Sequence, residues 1–154
     1  MRLTQQTNYA IRILIYCAAN AGRPVKVGEI ARVFAISELH LFKILKVLVE
    51  ARLVQTQRGR NGGVFLARSP QAITVGDVVR STEENFHLAD CFDPSTADCP
   101  INAVCDYNAL LHDALDAFLT TLDRKTIADL AVDRPDVKFL LDLKKAETAP
   151  ALSG

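Results

Sequence analysis

Val27-Gly28-Glu29-Ile30-Ala31-Arg32-Val33-Phe34-Ala35-Ile36-Ser37-Glu38-Leu39-His40-Leu41-Phe42-Lys43-Ile44-Leu45-Lys46 is the stretch that decides the fold. Its first eight residues predict a short helix, Val27–Phe34, that buries Ile30, Ala31 and Phe34 at helical spacing. A three-residue corner follows, Ala35-Ile36-Ser37. Ser37 suits a helix N-cap because its hydroxyl can accept an orphan backbone N–H. Residues 38–51 then predict another helix, with Leu41, Ile44, Leu45 and Leu48 as its core stripe.

Upstream, residues 5–20 predict a helix with Tyr9, Ile13 and Tyr16 on one stripe, widened by Ala10, Leu14, Cys17 and Ala18. Asn20-Ala21-Gly22-Arg23-Pro24 ends it, with Gly past the end and Pro beyond. Downstream the period shortens. Leu53–Gln57 and Val64–Ala67 predict two strands, joined by Arg58-Gly59-Arg60-Asn61-Gly62-Gly63. Glycines and Asn there can supply the positive φ angles of a hairpin tip. The order is that of a winged helix-turn-helix: mainly α with a small β-hairpin wing. In such a unit the helix after the corner enters the major groove, and its N-terminal residues meet base edges.

The candidate DNA-contacting residues are therefore Ser37, Glu38, Leu39, His40, Phe42, Lys43 and Lys46 on that helix. Leu39 and Phe42 suit thymine methyls; the alternative places Phe42 under the wing as core. Arg58, Arg60, Asn61, Gly62 and Gly63 form the wing tip. Its slim backbone can approach a minor groove while the arginines enter it. A phosphate-cradling nucleotide loop is a weak alternative, since no Gly-Lys-Ser/Thr ending is present and the loop leads into a strand.

Charge agrees with this division. Net charge is zero, yet residues 1–70 hold 11 Lys and Arg against 3 Asp and Glu, and residues 71–154 hold 7 against 15. A front half at +8 and a back half at −8 suggest that only the front faces a polyanion such as double-stranded DNA. Nothing approaches the roughly 18 apolar residues of a membrane span, and Met1–Asn8 lacks a signal-peptide core. A cytoplasmic setting without membrane attachment is expected.

Beyond Ser69-Pro70, Thr74-Val75-Gly76-Asp77 predicts a capping box opening a helix to about Glu83. Residues 84–106 form a cysteine-rich loop holding Cys91, Cys99 and Cys105, separated by seven and then five residues. From Pro100 to Leu122 a long helix is expected, with Tyr107, Leu111, Ala114, Leu115, Phe118 and Leu122 on one face. Asn108, Asp113, Asp116 and Thr120 lie on the other. That stripe suits a partner subunit in a homodimer. Short helices are expected from Thr126 and over 137–143, and a disordered tail over 146–154. The expected organisation is thus 1–83 for DNA binding, 84–106 for the cysteine loop and 100–145 for the dimerisation helix and C-terminal helices.

Thiolates are soft ligands that suit iron–sulfur clusters and zinc. The spacing lacks the Cys-x-x-Cys turn of zinc ribbons. Zinc would recruit His87, Asp90, Asp93 or His112, giving a zinc-stabilised interaction module. A disulfide switch and three free thiols complete the alternatives. Cys17, on an apolar helix face, reads as a small buried hydrophobe. No acid–base pair, nucleophile motif or phosphate loop points to an enzyme, and His40, His87 and His112 read as surface residues.

The opening Met1-Arg2-Leu3-Thr4 with Asn8-Tyr9-Ala10-Ile11-Arg12, the wing Arg58–Val64 and the triple-cysteine loop together resemble the Rrf-two family of bacterial repressors, to about residue 143. The resemblance implies a homodimeric winged-helix repressor holding an iron–sulfur cluster, 4Fe-4S with 2Fe-2S as a breakdown form, on Cys91, Cys99 and Cys105. Tyr16-Cys17-Ala18-Ala19-Asn20, Ser37-Glu38-Leu39 and Leu41–Leu45 are most similar to the iron-responsive, RirA-like branch. The nitric-oxide-sensing, NsrR-like branch comes next. Where relatives place a fourth ligand this chain has Asn108, or Asn8 of the partner subunit. The fourth ligand is then Asn8 of the partner subunit or a non-protein group.

Overall fold

A computed structural model describes residues 2–93, 95 and 99–149 of the chain. Among them the helices are α1 Gln5–Ala19, α2 Val27–Phe34, α3 Glu38–Glu50, α4 Val75–Thr82, α5 Asp106–Asp123, α6 Ile127–Ala131 and α7 Pro135–Glu147. Strands β1 Val54–Gln57 and β2 Gly63–Leu66 pair antiparallel, Val54 opposite Leu66 and Gln57 opposite Gly63. The fold is mainly α with a hairpin wing, as expected. No helix among the described residues is long and apolar enough to cross a membrane.

Local chemistry sets the helix ends. Thr4 caps α1 by accepting from the Thr7 N–H, and Ser37 caps α3 by accepting from the His40 N–H at 3.3 Å. Both Thr74 and Thr126 open full capping boxes with Asp77 and Asp129. α2 ends as Ala35 turns left-handed at φ 53°.

The α3 stripe is buried as read: Leu41, Ile44, Leu45 and Leu48. They pack with Ala10, Ile13, Leu14 and Tyr16 of α1 and with Ile30 of α2 in one core. On α2 the reading needs correction. Val33 is buried, whereas Ala31 and Phe34 are half-buried. Phe34 instead meets Tyr16 edge-on, ring centres 5.9 Å apart. Cys17 is buried as expected, and burial pushes its thiol up to about 12.

The wing is fastened by a contact that the two-strand pattern does not announce. Val25, before α2, exchanges two backbone hydrogen bonds with Val64, each 2.8 Å. The tip glycines differ in role from the expectation. Gly59 alone in the tip has positive φ, 102°, and Asn61 does not. Gly63 is required by crowding, because a Cβ there would stand 2.6 Å from the Val25 carbonyl oxygen.

The long helix starts later than expected. Asn102–Val104 is a 3-10 turn and Cys105 is extended, so α5 begins at Asp106. The Asn108 side chain donates to Asn102 Oδ1 at 2.6 Å across this break. α7 is longer than expected, opening on Pro135, whose missing N–H is harmless in a first turn. The expected tail is corrected in turn: Ala146 and Glu147 are helical, and residues 150–154 lie outside the described residues.

The C-terminal helices fold back on the helix-turn-helix core. Ile127 donates to the Ile73 carbonyl, Val75 to that of Lys125, and Ile127, Ala128 and Ala131 are buried. α7 reaches α2 through one buried carboxylate. Glu29 accepts from Tyr16 Oη at 2.6 Å, Arg23 Nη2 at 2.5 Å and Lys145 Nζ at 3.0 Å. Burial pushes its carboxyl up, but the hydrogen bonds outweigh that and hold it down at about 2.

Two outcomes follow. Since the Glu29 carboxyl lies below its unfolded value of about 4.3, its contribution is complete above that pH and fades as pH falls toward about 2. Urea titrations should show Glu29→Gln costing about 2–3 kcal/mol at neutral pH. The gap to the native chain should close over that acid window. Gly63→Ala should break the Val25–Val64 pairing and lower the urea midpoint by the equivalent of about 2 kcal/mol.

Candidate functional site

The corner Ala35-Ile36-Ser37 projects the N-terminal end of α3 outward, because its opposite face is locked into the core. Ser37, Glu38, Leu39, His40, Phe42, Lys43 and Lys46 are all exposed. Leu39 is 72% and Phe42 55% exposed. Phe42 is therefore not core beneath the wing. It borders a groove whose walls include Val27 and the wing residues Thr56, Arg58 and Gly63. Lys46 stands 4.0 Å from Glu50, an exposed pair of little energetic weight.

At the wing tip Arg58, Arg60 and Asn61 are exposed, Gly63 is half-buried and Gly62 is buried. Gly62 and Gly63 thus shape the tip from beneath. Lys26, just before α2, donates to the Arg60 carbonyl at 2.8 Å and holds the tip against the helix-turn-helix.

Sequence reasoning missed the contribution of α1. Tyr9 is half-buried and meets the His40 ring edge-on at 5.9 Å. Gln5 Nε2 donates to the Tyr9 hydroxyl at 2.8 Å, and the Arg12 guanidinium lies 5.6 Å over the Tyr9 ring. α1 so supports the exposed end of α3. An Asn-Tyr pair early in a helix carries no local signal of this, because the partner lies 31 residues away.

The start of the cysteine segment is tied to that same helix. Glu83 accepts from the Thr4 N–H at 2.8 Å and the Thr4 hydroxyl at 3.0 Å, and also from the Thr7 hydroxyl. Thr7 and Thr82 hydroxyls share a buried hydrogen bond of 2.7 Å. Burial pushes the Glu83 carboxyl up, and these donors outweigh it to hold it below its ordinary value. α4 is fixed to α5 by a two-bond pairing of Arg80 with Asp123, 2.6 and 2.7 Å.

Cys91 sits in the short turn Asp90–Phe92, half-buried; Cys99 is exposed; Cys105, half-buried, is the residue before α5. The Phe92 ring lies flat on His112 of α5, centres 4.2 Å apart and planes 16° from parallel. That stack anchors the Cys91 turn. No three His, Cys, Asp or Glu side chains among the described residues stand close enough to hold a metal ion. Of the zinc-ligand candidates, His112 is engaged with Phe92, Asp93 accepts from the Ser95 N–H and hydroxyl, and His87 is exposed.

Two features of the segment fit a metal–sulfur group. The donor set is three thiols, soft ligands of the kind that hold iron–sulfur clusters. Cys105 precedes an 18-residue helix whose N-terminus favours negative charge. Asn108, three residues on, has a buried Oδ1 without a hydrogen-bond partner among the described residues. A buried amide oxygen in that state is costly.

Residues 3–133 match the family model of Rrf2, described as an iron-dependent transcriptional regulator. Protein aau3 of Rhizobium meliloti (strain 1021) is 52% identical over 145 residues, 94% of each chain. The HTH-type transcriptional regulator NsrR of Geobacillus kaustophilus (strain HTA426) is 44% identical, covering 92% of this chain and 97% of its own. Among solved structures, T. potens IscR is 25% identical with a TM-score of 0.67, covering 98% of this chain and 94% of that chain. Such relatives leave the zinc-stabilised interaction module without support and assign a non-enzymatic, DNA-binding role. From the helix-turn-helix, the wing and the extent of these matches, the chain belongs to the Rrf2 family of transcriptional regulators.

Proposed function

We propose that the chain is a homodimeric transcriptional repressor that binds an iron–sulfur cluster and responds to iron availability. The observation that carries this reading is the three-cysteine segment, set between the winged-helix unit and α5, in a chain whose family is described as iron-dependent. Cys91, Cys99 and Cys105 are the residues that would hold the cluster, 4Fe-4S with 2Fe-2S as a breakdown form. The fourth position falls to Asn8 of the partner subunit or to a non-protein ligand. When bound, the group supplies a tie between distant parts of one segment that is lost when iron is scarce.

The chain's own residues carry that tie to DNA. Segment 84–105 hangs between the Glu83 anchor and α5. Glu83 grips Thr4 and Thr7 at the start of α1, and Tyr9 on α1 abuts His40 at the exposed end of α3. Strain released or imposed at the segment thus reaches the major-groove residues through two contacts. The second protomer covers the apolar face of α5. That helix has no buried residue in the single chain, and Val104, Tyr107 and Leu110 are 82%, 61% and 63% exposed. Two winged helices so paired read two half-sites of double-stranded DNA.

A nitric-oxide-sensing repressor is the second reading, favoured by relatives named NsrR at 36–44% identity. Both share the cluster and the operator, and differ in what removes the tie.

Anaerobically purified protein should be brown, and Cys→Ala at 91, 99 or 105 should abolish the visible absorbance while far-UV circular dichroism persists. Operator affinity should drop at least tenfold on cluster loss; equal affinity with and without it overturns the proposal. Release by an iron chelator but not by nitric oxide selects the iron reading, and the reverse selects the second. Replacing Lys43, Lys46, Arg58 or Arg60 by Ala should each lower the salt slope of duplex binding by about 1.

A further inference from the structure

We infer that Leu39 and Phe42 read thymine 5-methyl groups in the major groove and set the operator preference of this chain, an inference that rests on its reading as a DNA-binding regulator. The two side chains stand three residues apart on the half of α3 that meets base edges, 72% and 55% exposed. The only apolar feature that a base pair displays in the major groove is the methyl of thymine. α3 contains no Asn, Gln or Arg, so Lys43 and Lys46 are its only residues of the types that read purines by paired hydrogen bonds.

Of the polar side chains beside them, the Glu38 carboxylate is exposed and leans over Gly28 of α2. His40 is held edge-on by Tyr9. Lys43 and Lys46 supply attraction to phosphates, which positions a protein without specifying sequence. Sequence preference then falls to the two apolar residues, and each half-site carries thymines where they meet it.

Selection from a random duplex library with the full-length cluster-bound dimer yields the preferred duplex. The same duplex is then made with deoxyuridine for thymidine, which removes the methyls and leaves every hydrogen-bonding edge intact. Binding should weaken about fourfold for each contacted methyl. Leu39→Ala and Phe42→Ala should each shrink that difference, with circular dichroism unchanged. Equal affinity for the two duplexes overturns the inference. So does undiminished discrimination in both variants, including the case where they dissociate the dimer in sedimentation and belong to a protein interface instead. Discrimination that holds while affinity ignores the cluster would sink the proposed function alone; a library with no enriched sequence sinks both.

Discussion

One buried carboxylate holds the reading head together. Glu29 is 8% exposed, and an uncompensated charge so placed would cost several kcal/mol. It is compensated by donors from three separate places: Tyr16 on α1, Arg23 in the following turn and Lys145 on α7. Satisfying Glu29 therefore fixes α1, α2 and α7 in one arrangement. α3 inherits its orientation from α1 and α2, and the wing inherits its own from Val25, two residues before α2. The C-terminal helix is thus part of the DNA-binding body, even though it lies about 100 residues from the helix-turn-helix.

The two halves of the proposed mechanism differ in what holds them. The major-groove residues stand on a packed core with capped helices and a pinned wing. The ties of the cysteine segment among the described residues include Glu83 at its start, the Phe92–His112 stack and the Asn102–Asn108 bond at its end. Its position matters, because its first anchor is also the grip on α1.

Much of the reading head was legible because it is local. The α3 stripe, the Ser37 cap, the limits of α2 and the Thr74–Asp77 capping signal are decided within a few residues, and each has the expected structure. Errors arose where distant parts decide. Phe34 looked like core by spacing, but Val33 occupies the interior and Phe34 takes the flank beside Tyr16. The Val25–Val64 pairing, the Glu29 cluster and the Tyr9–His40 contact join residues too far apart for periodicity to register. At α5 Pro100 pointed to an early start, and the 3-10 turn before Cys105 moved it to Asp106. The cysteines were legible as a set from their density, and no local rule brings three loop thiols to one point; among the described residues they are not gathered around one metal position.

The division of charge between front and back has a consequence for encounter. Residues 1–70, at +8, carry the wing and α3, and residues 71–154, at −8, carry α4 to α7, so the molecule bears concentrated charge of both signs and no net charge. It gains little from attraction at long range, where the two halves cancel. Within about one Debye length of the duplex, roughly 8 Å at physiological ionic strength, the gradient of the field acts as a torque. It turns the wing and α3 toward the phosphates and the acidic helices away before any side chain touches a base. Ionic strength would then govern mainly how many collisions arrive correctly oriented, and only secondarily how often collisions occur.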